Sequence, residues 1–319
     1  MQIWMLFLSG FVLYVIFYAV HARLVEKRSV LSRIIQDSLT VGNFVFSSMM
    51  VKGMKNLQRK GRKAYVWPEK KAKQTVTLYD VKGMDVYKMN ETGEFPKKLL
   101  FLHGGAYIFD ITNQHIRLLD NLASRMDMCI HIPNYPLAPE ANYRESYEKT
   151  LSLYERLLTT TAAEDIILMG DSAGGGFCVG LALLIKEKDL PQPGELILLS
   201  PWLDITMTNP LITKELEKKE KLLSIDFLLK AGRLWVGEDD PKSYLVSPIN
   251  GNLEGLPPIT IFTGTYDLLF PDAQKLHEKL TAAGNKCELK IYDKMLHDFV
   301  IFPIPEAKQV TEEIIQKIR

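Results

Sequence analysis

The spacing of apolar side chains changes three times along this chain. Met1 to Val20 forms a nearly continuous apolar run with no charged side chain, broken only by weakly polar residues such as Gln2, Ser9 and Gly10. Over residues 29–65 the apolar positions, among them Val30, Ile34, Leu39, Phe44, Met50, Met54 and Leu57, are interleaved with polar ones in a helical rhythm. That stretch ends in the basic run Arg59-Lys60-Gly61-Arg62-Lys63, read as a solvated helix end, and Trp67-Pro68 breaks it. From residue 75 short apolar strands alternate with helices. Thr75–Tyr79 and Asp85–Met89 flank Lys82-Gly83 as a hairpin. Leu99–Leu102 is the continuous apolar run of a strand buried on both faces, and Met128–Ile132, Asp165–Met169, Glu195–Leu199, Ile259–Thr263 and Cys287–Tyr292 repeat its character.

Helical segments fall between these strands at about 113–126, 144–159, 173–188, 271–284 and 305–318. The pattern predicts an α/β fold with a mostly parallel eight-stranded sheet flanked by helices. In such sheets ligands collect at the carboxyl ends of the strands. Residues 206–245, rich in Lys and Glu with an apolar helix at Ile225–Trp235, interrupt the alternation. Together with residues 29–65 they are expected to form a two-part helical cap, leaving 75–205 and 246–319 as the core.

The first segment, residues 1–22, has about the length a helix needs to cross a bilayer, roughly 20 residues. Arg23, Lys27, Arg28 and Arg33 follow it and no Lys or Arg precedes it, so an anchored catalytic domain would face the cytoplasm. A membrane anchor is the leading expectation. A cleaved signal, suggested by Val20-His21-Ala22, and a cap helix packed on the domain are the alternatives, the last making the protein soluble.

Composition narrows the function. With 47% hydrophobic and 24% charged residues the chain is globular, and a net charge of +1 provides no basic field for nucleic acid. Cys129, Cys178 and Cys287 lie far apart in apolar stretches, without the spacing of a zinc site or a disulfide framework.

The chemistry centres on Gly170-Asp171-Ser172-Ala173-Gly174. A GxSxG match alone arises by chance. Here an apolar strand leads in and a helix of small residues leads out, a turn that holds a serine strained and exposed at a helix N-terminus. A plain Gly-rich turn with an N-cap serine is the simpler alternative. His103-Gly104-Gly105-Ala106 directly follows another strand. Backbone N–H groups preorganised there would stabilise an oxyanion by about 3–4 kcal/mol per donor. The expected donors are Gly104, Gly105 and Ala173. A serine needs a base and the base an orienting acid, in the chain order serine, acid, histidine. Asp267, after the strand Ile259–Thr263, and His297, after the last strand, meet that order. Asp272, Asp293, Asp298 and His277 are the competitors. Asp272 is explained by helix capping and His277 by an exposed helix surface.

These motifs resemble the hormone-sensitive-lipase-like branch of the α/β hydrolases, which includes bacterial carboxylesterases and arylacetamide-deacetylase-like enzymes. The likeness also includes Tyr135-Pro136-Leu137-Ala138-Pro139-Glu140 and Ser200-Pro201-Trp202-Leu203-Asp204, and it spans roughly residues 75–317. It implies the α/β-hydrolase fold with a cap, a serine carboxylesterase using Ser172, Asp267 and His297, and no metal or organic cofactor. It implies short- to medium-chain acyl esters, with a lipase or a sugar or xenobiotic deacetylase as alternatives and a non-catalytic binding protein as a further one. His103, Asp171 and Glu140 would support the site. Three departures stand out. Ala106 replaces the third glycine of the oxyanion loop. Pro136 replaces an arginine, so an arginine interaction is lost and the local support of the Tyr135-Pro136-Leu137 loop is left open. Asp298 follows the histidine where the family has glycine; it either adjusts the base or faces solvent, and solvent is the expectation.

Overall fold

The computed structural model describes residues 2–90, 97–126 and 128–319, and their side chains apart from those of residues 2–10 and 41–48, among which Phe44 falls. Two long helices come first, α1 (Gln2–Val20) and α2 (Val30–Lys60), joined through a π-helical turn at His21–Val25. The hairpin strands β1 (Val76–Val81) and β2 (Met84–Met89) follow, then β3 (Lys97–Leu102), α3 (Asn113–Ala123), β4 (Met128–Pro133), α4 (Tyr143–Leu158), β5 (Ile166–Asp171) and α5 (Ser172–Glu187). The chain continues through β6 (Glu195–Leu199), α6 (Lys214–Lys219), α7 (Ile225–Val236), β7 (Ile259–Gly264), α8 (Phe270–Ala282), β8 (Cys287–Tyr292) and α9 (Pro305–Ile318).

The eight strands form one sheet in the order β1-β2-β4-β3-β5-β6-β7-β8. β1 pairs antiparallel with β2, and β2 antiparallel with β4; every other pair is parallel. Period-two alternation divides each central strand between two cores. Leu100, Leu102, Leu168, Leu196 and Leu198 face one, shared with α5 and the 206–245 segment. Leu99, Phe101, Ile167, Met169, Ile197 and Leu199 face the other, shared with α3 and α9. This two-sided burial is why the strands read as unbroken apolar runs. β8 departs from that expectation: it is the sheet edge and its side chains are half-buried or exposed, which also leaves Cys287 half-buried.

α2 packs on α7 and on α9. Its N-cap, Ser29, accepts from the Ser32 N–H, and its hydroxyl donates to Glu306 of α9 at 2.8 Å. α1 is different. From Phe11 to Phe17 its large side chains are exposed, Phe11 and Phe17 each to 64%, while Tyr18 turns to α2, where its hydroxyl donates to Asp37 and its ring lies under Arg33. Among the described residues no helix is long and apolar enough to cross a membrane.

Candidate active site

The site lies at the carboxyl ends of β3, β5, β7 and β8. β5 runs without a spacer into α5, and Ser172 takes the first helical position with φ +50. A non-glycine residue is strained there and is held only by its surroundings. One reason this turn can close is Gly174: a Cβ on it would lie 1.9 Å from the Leu102 carbonyl oxygen of β3. The turn places Ser172 Oγ 2.8 Å from His297 Nε2. His297 Nδ1 lies 3.1 Å from Asp267 Oδ1, which also accepts the Leu269 N–H at 2.8 Å. Ser172 and Asp267, 125 and 30 residues from His297 along the chain, thus meet it in one buried chain of contacts.

Burial works against a charge on His297, but the Asp298 and Asp267 carboxylates together outweigh it. They raise the imidazole well above its ordinary 6.5. Asp298 is therefore not the solvent-facing residue expected from the sequence. It is buried, adopts a left-handed backbone with φ +50, and sets Oδ2 3.1 Å from His297 Nε2. Burial pushes its carboxyl up to about 7, against the pull of His297.

The oxyanion loop is held from several sides. Gly105 has φ +119, open only to glycine, and Ala106 and Tyr107 follow in left-handed conformation. The Gly104 N–H donates to Asp171 Oδ1 at 2.9 Å, so this expected oxyanion donor is already engaged. Among the described residues no protein acceptor takes the N–H of Gly105 or Ala173. The other Asp171 oxygen meets His115 Nε2 at 2.8 Å, and the Thr112 N–H donates to His115 Nδ1. Burial disfavours the Asp171 carboxylate, yet His115 and the Gly104 N–H hold its carboxyl below the ordinary value. His103 is fully buried, which depresses its imidazole to about 4. It stays neutral, contacts the Gly104 carbonyl at 2.7 Å, and stacks on Tyr135, whose hydroxyl donates to the His103 carbonyl.

Glu140 lies further out, 3.5 Å from Arg62 Nε. Arg62 also donates to Asp110 and to the carbonyls of Ile108 and Ala138. Far from being a solvated helix end, Arg62 ties the loop after β3 to the loop after β4, support that the loss of an arginine at Pro136 had put in question. Asp272 does not cap α8, whose N-cap is Leu269; it is buried and accepts from Asn209 at 2.8 Å. Asp293 accepts from Thr265, and His277 is half-buried on α8, away from Ser172.

Sequence reasoning missed three residues besides Arg62. His115 lies in the predicted helix 113–126 with no motif to mark it. Glu220, at the end of α6, is fully buried and accepts four backbone N–H groups: Lys221 and Leu222 of its own segment, and Leu268 and His297 beside the candidate acid and base. Trp235 of α7 stacks on Tyr107 of the oxyanion loop with ring centroids 4.2 Å apart. The 206–245 segment thus touches both the oxyanion side and the base side.

Residues 99–301 match the sequence family described by the alpha/beta hydrolase fold. An esterase of Acinetobacter venetianus is 35% identical over 224 residues, 69% of this chain and 74% of that protein. An acetyl-hydrolase of Streptomyces hygroscopicus is 27% identical over 219 residues, 68% of this chain and 73% of its own length. The crystal structure of the hormone-sensitive-lipase homologue EstE7 from a metagenome library superimposes with a TM-score of 0.78 at 30% identity, covering 90% of this chain and 97% of that one. The chain belongs to the α/β-hydrolase family, in its hormone-sensitive-lipase-like branch.

Proposed function

We propose that this carboxylesterase hydrolyses short- to medium-chain acyl esters through an acyl-enzyme on Ser172. The observation that carries the reading is the contact chain Ser172 Oγ to His297 Nε2 at 2.8 Å and His297 Nδ1 to Asp267 Oδ1 at 3.1 Å. His297 takes the Ser172 proton as Oγ attacks the acyl carbonyl, and Asp267 stabilises the imidazolium. The alcohol leaves with that proton. Water then attacks the acyl-enzyme by the same route. The oxyanion rests on the N–H groups of Gly105 and Ala173, with Gly104 braced by Asp171. Short acyl chains are favoured by the likeness to an acetyl-hydrolase.

Two features shape access. α2 and residues 206–245 act as the cap, a role supported by the packing of α2 on α7 and by Phe109 stacking on Phe227. The exposed apolar side chains of residues 11–17 favour association with a membrane, and Arg23 and Lys27 beyond them favour the cytoplasmic side for an anchored catalytic domain.

The test is hydrolysis of p-nitrophenyl esters from acetyl to palmitoyl by the wild type and Ser172→Ala. Turnover peaking at short or medium chains, and lost by about 10⁴-fold or more in the variant, is expected. A maximum at long chains makes it a lipase. No turnover of any ester by the folded wild type moves the chain to a narrow-specificity deacetylase or a non-catalytic binding protein.

A further inference from the structure

His297 Nε2 has two partners competing for one position: Ser172 Oγ at 2.8 Å and Asp298 Oδ2 at 3.1 Å. A neutral imidazole that donates from Nδ1 to Asp267 presents only a lone pair at Nε2. It then accepts from the Ser172 hydroxyl and has nothing to give Asp298. An imidazolium presents Nε2–H instead and satisfies a carboxylate. The protonation state of His297 therefore selects its partner.

Asp298 is fixed in that position. Its N–H donates to Ser200 Oγ at 3.1 Å, its left-handed backbone folds the side chain back toward the base, and its residue is only 8% exposed. Its Oδ1 is buried without a protein partner among the described residues. The titratable groups facing this pair come from four other places. Asp267 follows β7, Glu220 reaches in from α6, Asp171 ends β5, and His115 lies on α3. Three of these four are carboxylates, and the remaining base, His115, is already bonded to Asp171.

We propose that Asp298 is a positioning residue that holds the resting His297 as an imidazolium and thereby sets the acid limb of the pH dependence of ester hydrolysis. The proposal rests on Ser172 and His297 acting as nucleophile and base. One proton is shared between Nε2 and Oδ2 in the resting enzyme. Its loss to solvent frees the Nε2 lone pair for the Ser172 hydroxyl. In acylation the Ser172 proton passes to Nε2 and then to the leaving alkoxide, and the Asp298 carboxylate stabilises the imidazolium formed on the way. The residue thus shifts the working range upward in pH and supports the rate above it. The upward position of the Asp298 carboxyl, about 7, agrees with such sharing.

The experiment compares kcat and kcat/KM against pH for the wild type, Asp298→Asn and Asp298→Gly. Both replacements suit a left-handed backbone, so the fold is retained in at least one of them. The acid limb should move down by about one pH unit or more in both, the size of a lost charge partner, and the plateau kcat should fall. A second readout does not depend on turnover: the His297 imidazole is titrated by NMR in a Ser172→Ala background, with and without Asp298→Asn. Its midpoint should fall with the same substitution. An acid limb and a midpoint that both stay in place, or move upward, overturn the proposal while leaving the triad intact. Full ester hydrolysis by Ser172→Ala overturns the triad reading and the proposal with it.

Discussion

On the nucleophile side of the site one buried carboxylate, Asp171, faces one imidazole, His115, and one backbone N–H, that of Gly104. On the base side the single imidazole of His297 sits among three buried carboxyl groups, Asp267, Asp298 and Glu220. The first arrangement is balanced: each charge or dipole has a partner, and a change of protonation leaves one of them unpaired at several kcal/mol. The second has acid in excess, so protons can be taken up and released while the loop stays bonded. A site built this way separates the scaffold that presents serine and oxyanion hole from the group that must change charge in every cycle.

Breaking the balanced side should have the largest effect. His115→Ala leaves the buried Asp171 carboxylate without its Nε2–H donor, and unfolding in denaturant should show a loss of about 3 kcal/mol or more, with activity reduced as the Gly104 loop loosens. Stability unchanged within error would mean that Asp171 is not paired with His115. Next comes Glu220→Ala. It removes the acceptor of the His297 and Leu268 N–H groups, and a buried donor left unsatisfied costs about 1–3 kcal/mol. Here kcat should fall while KM for a small ester stays nearly constant, since the base moves rather than the acyl pocket. A change in KM alone would place Glu220 in substrate binding.

Acidification sharpens the contrast without a mutation. His297 has a raised value in the folded state, so the stability from its carboxylate partners is fully present below its ordinary 6.5 and is lost only as pH rises through the folded value. Asp171 has a lowered value, so its contribution is present above the ordinary 3.8 and lost only as pH falls through the folded value. Lowering the pH through the Asp298 range near 7 should therefore reduce hydrolysis reversibly without lowering Tm, because His297 and Asp298, both raised by folding, favour the folded state as they take up protons. A parallel fall of activity and Tm would show that the base side is not independent of the scaffold.

The smallest effect on chemistry is expected from removing residues 1–20. The side chains of Phe11 to Phe17 are exposed, so turnover of a soluble ester should be unchanged. Flotation with anionic vesicles should be lost. Flotation retained by the shortened chain would place the membrane contact elsewhere.

The core was legible because strands buried on both faces must be apolar throughout, and the Ser172 elbow and Gly104-Gly105 loop are local in sequence. Ser172, Asp267 and His297 follow from strand ends and chain order, and these meet in space. The residues that hold them were not legible. Glu220 lies in a Lys/Glu-rich stretch that looks solvated, and its partners include backbone N–H groups 48 and 77 residues away. Arg62 sits in a basic run and bonds carbonyls 46 and 76 residues on. Asp298 is adjacent to His297 in sequence, but only its left-handed backbone turns the carboxylate back to Nε2. The edge position of β8 was hidden for a similar reason: pairing on one side only is a property of the sheet order, not of the strand's own residues.

The central claim, that Ser172 is the nucleophile activated by His297, is tested most directly by labelling. The enzyme is treated with diethyl p-nitrophenyl phosphate until hydrolysis stops, and the adduct is located by peptide mass spectrometry. One diethylphosphoryl group on Ser172, in the tryptic peptide that follows Arg156 and ends at Lys186, with no labelling of His297→Ala, is the predicted result. Complete inactivation with the adduct on another residue, or equal labelling of the His297 variant, would contradict it.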